Sequence, residues 1–237
     1  QANDIAFNIL TKQHREGSDV TVGTAHNVTW FEPDNPHSIL DRSSAVLSRF
    51  TFTDLGLTLM KQSDALMLNY YFGYRVRFRP GFSYATEPGS TAITKLPGAD
   101  VVPEDRLRGD NGWPSTPEYL LSTLKYIQQK YGRKPIYITE NGIADKEDKV
   151  RASSILTHLI TLAEGIEYHN LPIKGYYHWT IVDNMELAEG FRQRFGLIAV
   201  DPVTGERYLR NSAFLYSAIA RSDYIDSERL IKEFIPT

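Results

Sequence analysis

Glu140 closes the apolar run Ile136–Thr139, Trp179 closes the run Lys174–His178, and Glu186 follows just beyond it. These residue types, so placed, could act on a sugar. A carboxylate can attack an anomeric carbon, an indole can stack on the apolar face of a pyranose, and a second carboxylate can accept hydrogen bonds from hydroxyls. Taken alone, a carboxylate at a strand end is ordinarily a solvated one. The elements that would position it, and what surrounds it, decide the matter.

The stretch KPIYITENGIAD, Lys134 to Asp145, places β-branched and aromatic residues directly after a proline. Such short, nearly continuous apolar runs belong to parallel strands buried on both faces. Glu140 then lies at the carboxyl end of its strand, where loops converge around ligands in barrels and open parallel sheets. Before it, Ala2–Gln13 has helical pattern with Ile5, Ile9 and Leu10 on one face, VTVGTA (Val20–Ala25) reads as a strand, and Ile39–Met60 has helical periodicity. ALMLNYY (Ala65–Tyr71) reads as a second strand, and Arg75–Tyr84 as an extended segment. A stretch rich in Gly, Pro and Asp follows, expected as a long irregular loop at about 85–117.

Ser115-Thr116-Pro117-Glu118 opens a helix: a hydroxyl can cap it, proline suits its first turn, and glutamate favours the positive end of its dipole. The strand of Glu140 comes next, then a helix at Val150–Ala163, a strand at Lys174–Thr180, a turn at Asp201–Arg207 between two short extended pieces, and a helix at Ser212–Arg221. Strands and helices alternate about four times, which argues for parallel βα units. We expect one domain over residues 1–237.

Apolar residues at 41%, charged residues at 23% and a net charge of -3 describe an ordinary globular chain with no nucleic-acid footprint and no membrane-binding face. No apolar run is long enough to span a bilayer. The absence of cysteine excludes disulfides and thiolate sites and fits a reducing compartment, so a cytoplasmic location is expected. The six histidines lack metal-ligand spacing and no glycine-rich phosphate loop is present, so neither metal nor cofactor is expected. The amino terminus QANDIAFNILTKQHREG reads as part of a helix rather than a signal peptide.

The segments YITENG, LNYY and HWTIVDNMELAEGFRQRFGL resemble the retaining β-glycosidases of glycoside hydrolase family 1, (β/α)8 barrels that hydrolyse β-glucosides, β-galactosides and their relatives. The resemblance runs from about residue 3 to 221. It implies that Glu140 is the nucleophile, that Tyr71 hydrogen-bonds its carboxylate and that Asn69 lines the site. It also implies that Trp179 is the sugar platform, Glu186 the acceptor for the outer hydroxyls and Phe195 a wall of the same subsite.

Three departures matter. Leu187 stands where the family usually has tryptophan, the connection from the Phe31-Glu32-Pro33 loop to Asn69 is short by tens of residues, and the Asn-Glu-Pro segment carrying the family's acid/base glutamate does not occur. The chain therefore looks like the carboxyl-terminal half of the barrel, strands five to eight. Glu32 superficially resembles the missing acid, but the family carries a similar Phe-Glu-Pro loop after its fifth strand without that role. Asp183 and Asn184 read as loop-shaping hydrogen bonders. Arg75, Arg77 and Arg79, which alternate with apolar residues, read as a solvated strand face rather than a phosphate site.

The expected function is that of a retaining β-glycoside hydrolase completed by an amino-terminal half-barrel chain or by a second copy, acting on a β-glycoside and leaving a monosaccharide. The alternative is a catalytically inactive half-barrel that binds sugar or serves as an assembly module.

Overall fold

The computed structural model describes residues 2–14, 21–59, 62–85, 94–187, 189–222 and 224–235. The chain begins with α1 (Ala2–His14), β1 (Ala25–Asn27), β2 (Trp30–Pro33) and α2 (Ile39–Arg49), which passes through a π-helical segment, Phe50–Asp54, into α3 (Leu55–Leu59). Then come β3 (Leu66–Asn69), β4 (Gly73–Ala85), β5 (Thr94–Val102), α4 (Pro117–Tyr131), β6 (Ile136–Asn141), α5 (Arg151–His169) and β7 (Ile173–His178). The hairpin β8 (Ile198–Val200) and β9 (Arg207–Leu209), with α6 (Asn211–Ala220) and α7 (Ser227–Phe234), completes it.

Four strands form one parallel sheet in the order β1-β3-β6-β7. This is the βα succession expected of half a (β/α)8 barrel. Alternation decides which face packs: Ile136 and Ile138 of β6 are fully buried with Leu68 of β3 against Leu120, Leu124 and Ile127 of α4, whereas Tyr137 and Thr139 are only half-buried. Each fully buried Leu or Ile contributes about 1.5–3 kcal/mol. Among the described residues β1 and β7 each have one strand neighbour in this sheet.

A second sheet, β2-β4-β5, leans on α2 through Phe31, Ala45, Tyr74, Val76, Leu96 and Ala99. The π segment is pinned by Asp54, whose carboxylate accepts from Tyr126 Oη at 2.7 Å, Lys130 Nζ at 2.7 Å and Tyr131 Oη at 2.9 Å. No helix among the described residues is long and apolar enough to cross a membrane.

Two expectations are corrected. The strand placed at Val20–Ala25 begins at Ala25, where pairing with Met67 starts; Val20 lies outside the described residues. The stretch expected to be irregular contains β5, which pairs antiparallel with β4, while residues 86–93 lie outside the described residues. Proline and glycine hid this strand: Pro97 and Gly98 fall where the ladder slips between Phe78 and Phe82, and Gly98 has φ +66°.

Behind the sheet, burial holds His158 of α5 and His178 of β7 neutral, with pKa values lowered to about 4 and about 3, the nearby Arg151 adding to the effect at His178. Both lie below the ordinary 6.5 of an unfolded chain. The unfolded chain therefore takes up these protons first, and stability falls as pH drops below 6.5, continuing toward the folded values. The unfolding free energy from urea titrations should be level between about pH 7 and 8 and decline by about 1.4 kcal/mol per pH unit per histidine below about pH 6. His158→Gln should flatten that slope, and an unchanged slope would refute this account.

Candidate active site

Strict alternation from Ile136 and Ile138 would turn Glu140 toward the helices. Instead the β3–β6 ladder pairs Leu68 with Ile138 and then Asn69 with Glu140, so Thr139 is an extra residue. Such a bulge re-aims the side chain that follows it. Thr139 Oγ1 donates to Asn69 Oδ1 at 2.7 Å, and the half-buried Glu140 carboxylate meets Tyr71, whose Oη donates to Oε2 at 2.6 Å. A charge-assisted bond of that length is a strong one. Burial, and then the bond to Glu140, raise the Tyr71 pKa far above its ordinary value, so the phenol keeps its proton.

Trp179 follows β7. Its N–H donates to the Asn141 carbonyl at 2.9 Å, and its peptide bond to Thr180 is cis. Its Nε1 donates to Glu186 Oε1 at 3.1 Å, which joins the platform and the hydroxyl acceptor of the expected site. Gly142 makes this approach possible, because a Cβ there would lie 1.9 Å from the Trp179 carbonyl oxygen. Phe195 is buried, with its ring centroid 6.3 Å from that of Tyr71. Leu187 is 96% exposed.

Asp183 supports this loop from beneath. Its carboxylate receives Arg210 in a buried two-pronged pair, Nη1 to Oδ1 and Nη2 to Oδ2, both at 3.0 Å, and Gly196 N–H at 2.8 Å. The residue is structural, in keeping with its reading as a loop former. Glu32 stays apart from this group: it lies on β2 in the other sheet, and Trp30 Nε1 donates to its Oε2 at 2.7 Å. Arg75, Arg77 and Arg79 face Glu104, Asp34 and Asp100 at 3.2, 3.5 and 3.0 Å. Their charges are met by carboxylates of the chain. Among the described residues no group of three His, Asp or Glu could hold a metal ion.

Tyr71 thus joins Glu140 and Phe195, Trp179 holds Glu186, and Asn69 meets Thr139 beside Glu140, with the backbones of β6 and the loop after β7 linking the two pairs. Sequence reasoning missed Trp113, whose ring packs 4.8, 5.4 and 6.0 Å from those of Phe72, Tyr71 and Phe195, with a buried Nε1 that has no hydrogen-bond partner. It sits in the Gly-Trp-Pro turn just before the α4 cap, a rigid position that could have flagged it.

The family model described as Glycosyl hydrolase family 1 matches residues 32–224. Among curated proteins, the chain is 35% identical over 149 residues to a β-galactosidase of Sulfolobus acidocaldarius, covering 63% of this chain and 28% of that protein. It is 30% identical to β-glucosidase 42 of Arabidopsis thaliana, covering 81% of this chain and 42% of that one. Among solved structures, Fpglu1 from Fervidobacterium pennivoraus superposes with a TM-score of 0.81 at 28% identity over 98% of this chain and 50% of that chain. The chain spans less than half the length of these curated relatives.

Truncating Asp183 to alanine would leave the Arg210 guanidinium buried and unpaired. Asp183→Ala is expected to cost about 3–5 kcal/mol in urea unfolding at neutral pH. A loss under about 1 kcal/mol would mean that the pair does not hold the loop.

Proposed function

We propose that this chain, which belongs to glycosyl hydrolase family 1, supplies the nucleophile half of a retaining β-glycoside hydrolase site. The observation that carries the reading is the 2.6 Å bond from Tyr71 Oη to Glu140 Oε2 at the carboxyl ends of parallel strands. The protonated phenol holds one carboxylate oxygen and leaves Oε1 to attack the anomeric carbon. As the new C–O bond forms, the bond to the aglycone oxygen breaks, and a glutamate of an amino-terminal half-barrel gives that oxygen its proton. The same glutamate then takes a proton from water, which displaces Glu140 and releases the monosaccharide.

Trp179 forms the floor of the sugar site, Phe195 its wall, and Asn69 and Glu186 receive hydroxyls, with Glu186 already oriented by the indole N–H of Trp179. Relatives named β-galactosidase and β-glucosidase support both sugars as substrates. The single-neighbour edges of β1 and β7 are where an amino-terminal half, or else a second copy, would pair. Zero cysteines suit a cytoplasmic setting.

A second reading, a sugar-binding module without turnover, is favoured by the position of Glu32, whose carboxylate is taken by Trp30 in the other sheet. In the chain assembled with an amino-terminal half-barrel, Glu140→Gln should abolish hydrolysis of aryl β-glucosides and β-galactosides, and unchanged rates would sink the assignment. Calorimetric binding of glucose or galactose, with no turnover in the assembled protein, would establish the second reading.

A further inference from the structure

The two residues beside the Tyr71–Glu140 bond are tied together by a device that the chemistry above does not use. The backbone ladder between β3 and β6 ends at Asn69 and Glu140, and Tyr70 N–H then donates to the Glu140 carbonyl at 2.8 Å. Past that point the Asn141 side chain takes over: its Nδ2 donates to the Tyr70 carbonyl at 2.8 Å, the carbonyl of the peptide that joins Tyr70 to Tyr71. Asn141 is buried, and its Oδ1 accepts from Tyr176 Oη of β7 at 2.8 Å. The Tyr70 carbonyl can only accept, so it takes the amide nitrogen, and the oxygen is left for the Tyr176 phenol, which holds the far end of the amide.

A third strut comes from the opposite side. Thr116 stands at the N-cap of α4, yet its hydroxyl makes no capping bond. It accepts Gly73 N–H at 2.9 Å and lies 2.9 Å from Tyr70 Oη, which also donates to the Thr116 carbonyl at 2.7 Å. The segment 70–73 is thereby held at both ends, by Asn141 and by Thr116, with Tyr71 between them.

We propose that Asn141, oriented by Tyr176, is a positioning residue that sets the Tyr71–Glu140 hydrogen bond through the Tyr70–Tyr71 peptide. For its effect on catalysis this rests on the hydrolase reading; for the hydrogen bond itself it does not. Loss of the Tyr176 phenol frees the amide to rotate, and Asn141→Asp keeps an acceptor for Tyr176 while removing the donor to Tyr70. Either change should loosen the Tyr71 ring while leaving Glu140 in place.

The direct test uses this chain with tyrosine labelled at the ring carbon bearing the hydroxyl, the Tyr71 resonance being identified by its disappearance in Tyr71→Phe. Glu140→Gln marks where the resonance moves when the bond is weakened. Tyr176→Phe and Asn141→Asp should each move it in that same direction; a Tyr71 resonance unmoved in a folded variant overturns the proposal, and if one variant fails to fold the other decides. In the assembled enzyme Tyr176→Phe should lower kcat about tenfold with KM within about twofold. It should cost nothing further in a Tyr71→Phe background, whereas a merely structural role would give additive losses. If the unmodified assembly turns over no glycoside, the hydrolase reading falls while the resonance test still decides the positioning role.

Discussion

Alternation alone would send the Glu140 side chain into the same core as Ile136 and Ile138, where an ionised carboxylate has no place. The extra residue at Thr139 breaks the alternation one step before the glutamate, and the carboxylate emerges against Tyr71 instead. Everything else in the site is arranged around that slip. Asn69 meets the displaced Thr139 hydroxyl, and Asn141 resumes with its side chain the pairing that the backbone has lost. A strand end that would otherwise be a mere terminus becomes the fixed point to which Trp179 and Tyr71 are both bonded.

The sheet that carries this point is satisfied on one face only. Toward the helices, Leu68, Ile136 and Ile138 meet the fully buried Leu120, Leu124 and Ile127 of α4. Toward the other face lie half-buried groups such as Asn69, Tyr71, Tyr137 and Thr139. Parallel sheets are ordinarily covered on both faces and, in barrels, closed at their edges. In the proposed retaining hydrolase, a complementary half would do both at once and would bring a second carboxyl group to about 5–5.5 Å from Glu140. Closure of the fold and completion of the chemistry are then one event.

The parallel βα order was legible because the apolar runs are bounded by turn residues and alternate with segments of helical period. The Ser115-Thr116-Pro117-Glu118 start agrees with α4 to the residue. The group around Glu140 was legible only through the resemblance, because nothing in the spacing of Glu140, Tyr71 and Trp179 announces that three strands bring them together. β5 was hidden for a local reason, proline and glycine at a ladder slip, and Trp113 for a long-range one, since its role depends on Tyr71 and Phe195, remote in sequence. Nothing in the sequence alone singles out Asn141 within the Ile136–Asn141 strand. Its contribution is visible only when the Tyr70 carbonyl and the Tyr176 phenol are placed on either side of it.

The loop after β7 divides into a rigid base and a free rim. At the base, the Trp179 backbone is held by the Asn141 carbonyl and closely packed against Gly142, Thr180 N–H donates to the Phe195 carbonyl at 3.2 Å, and the Asp183–Arg210 pair lies beneath. Nearer the rim, Glu186 N–H donates to the Gly190 carbonyl at 2.8 Å and Gly190 N–H returns to the Glu186 carbonyl at 2.7 Å, closing a short turn that leaves Leu187 in solvent. In the proposed sugar site, ring orientation would be a matter for the base, which the fold determines. Discrimination among hydroxyls would then fall to the rim, where Leu187 offers no donor and Glu186 is tied to the Trp179 indole. Under the proposed reading, such a division would admit epimers that differ at the rim more readily than sugars whose ring cannot lie on Trp179.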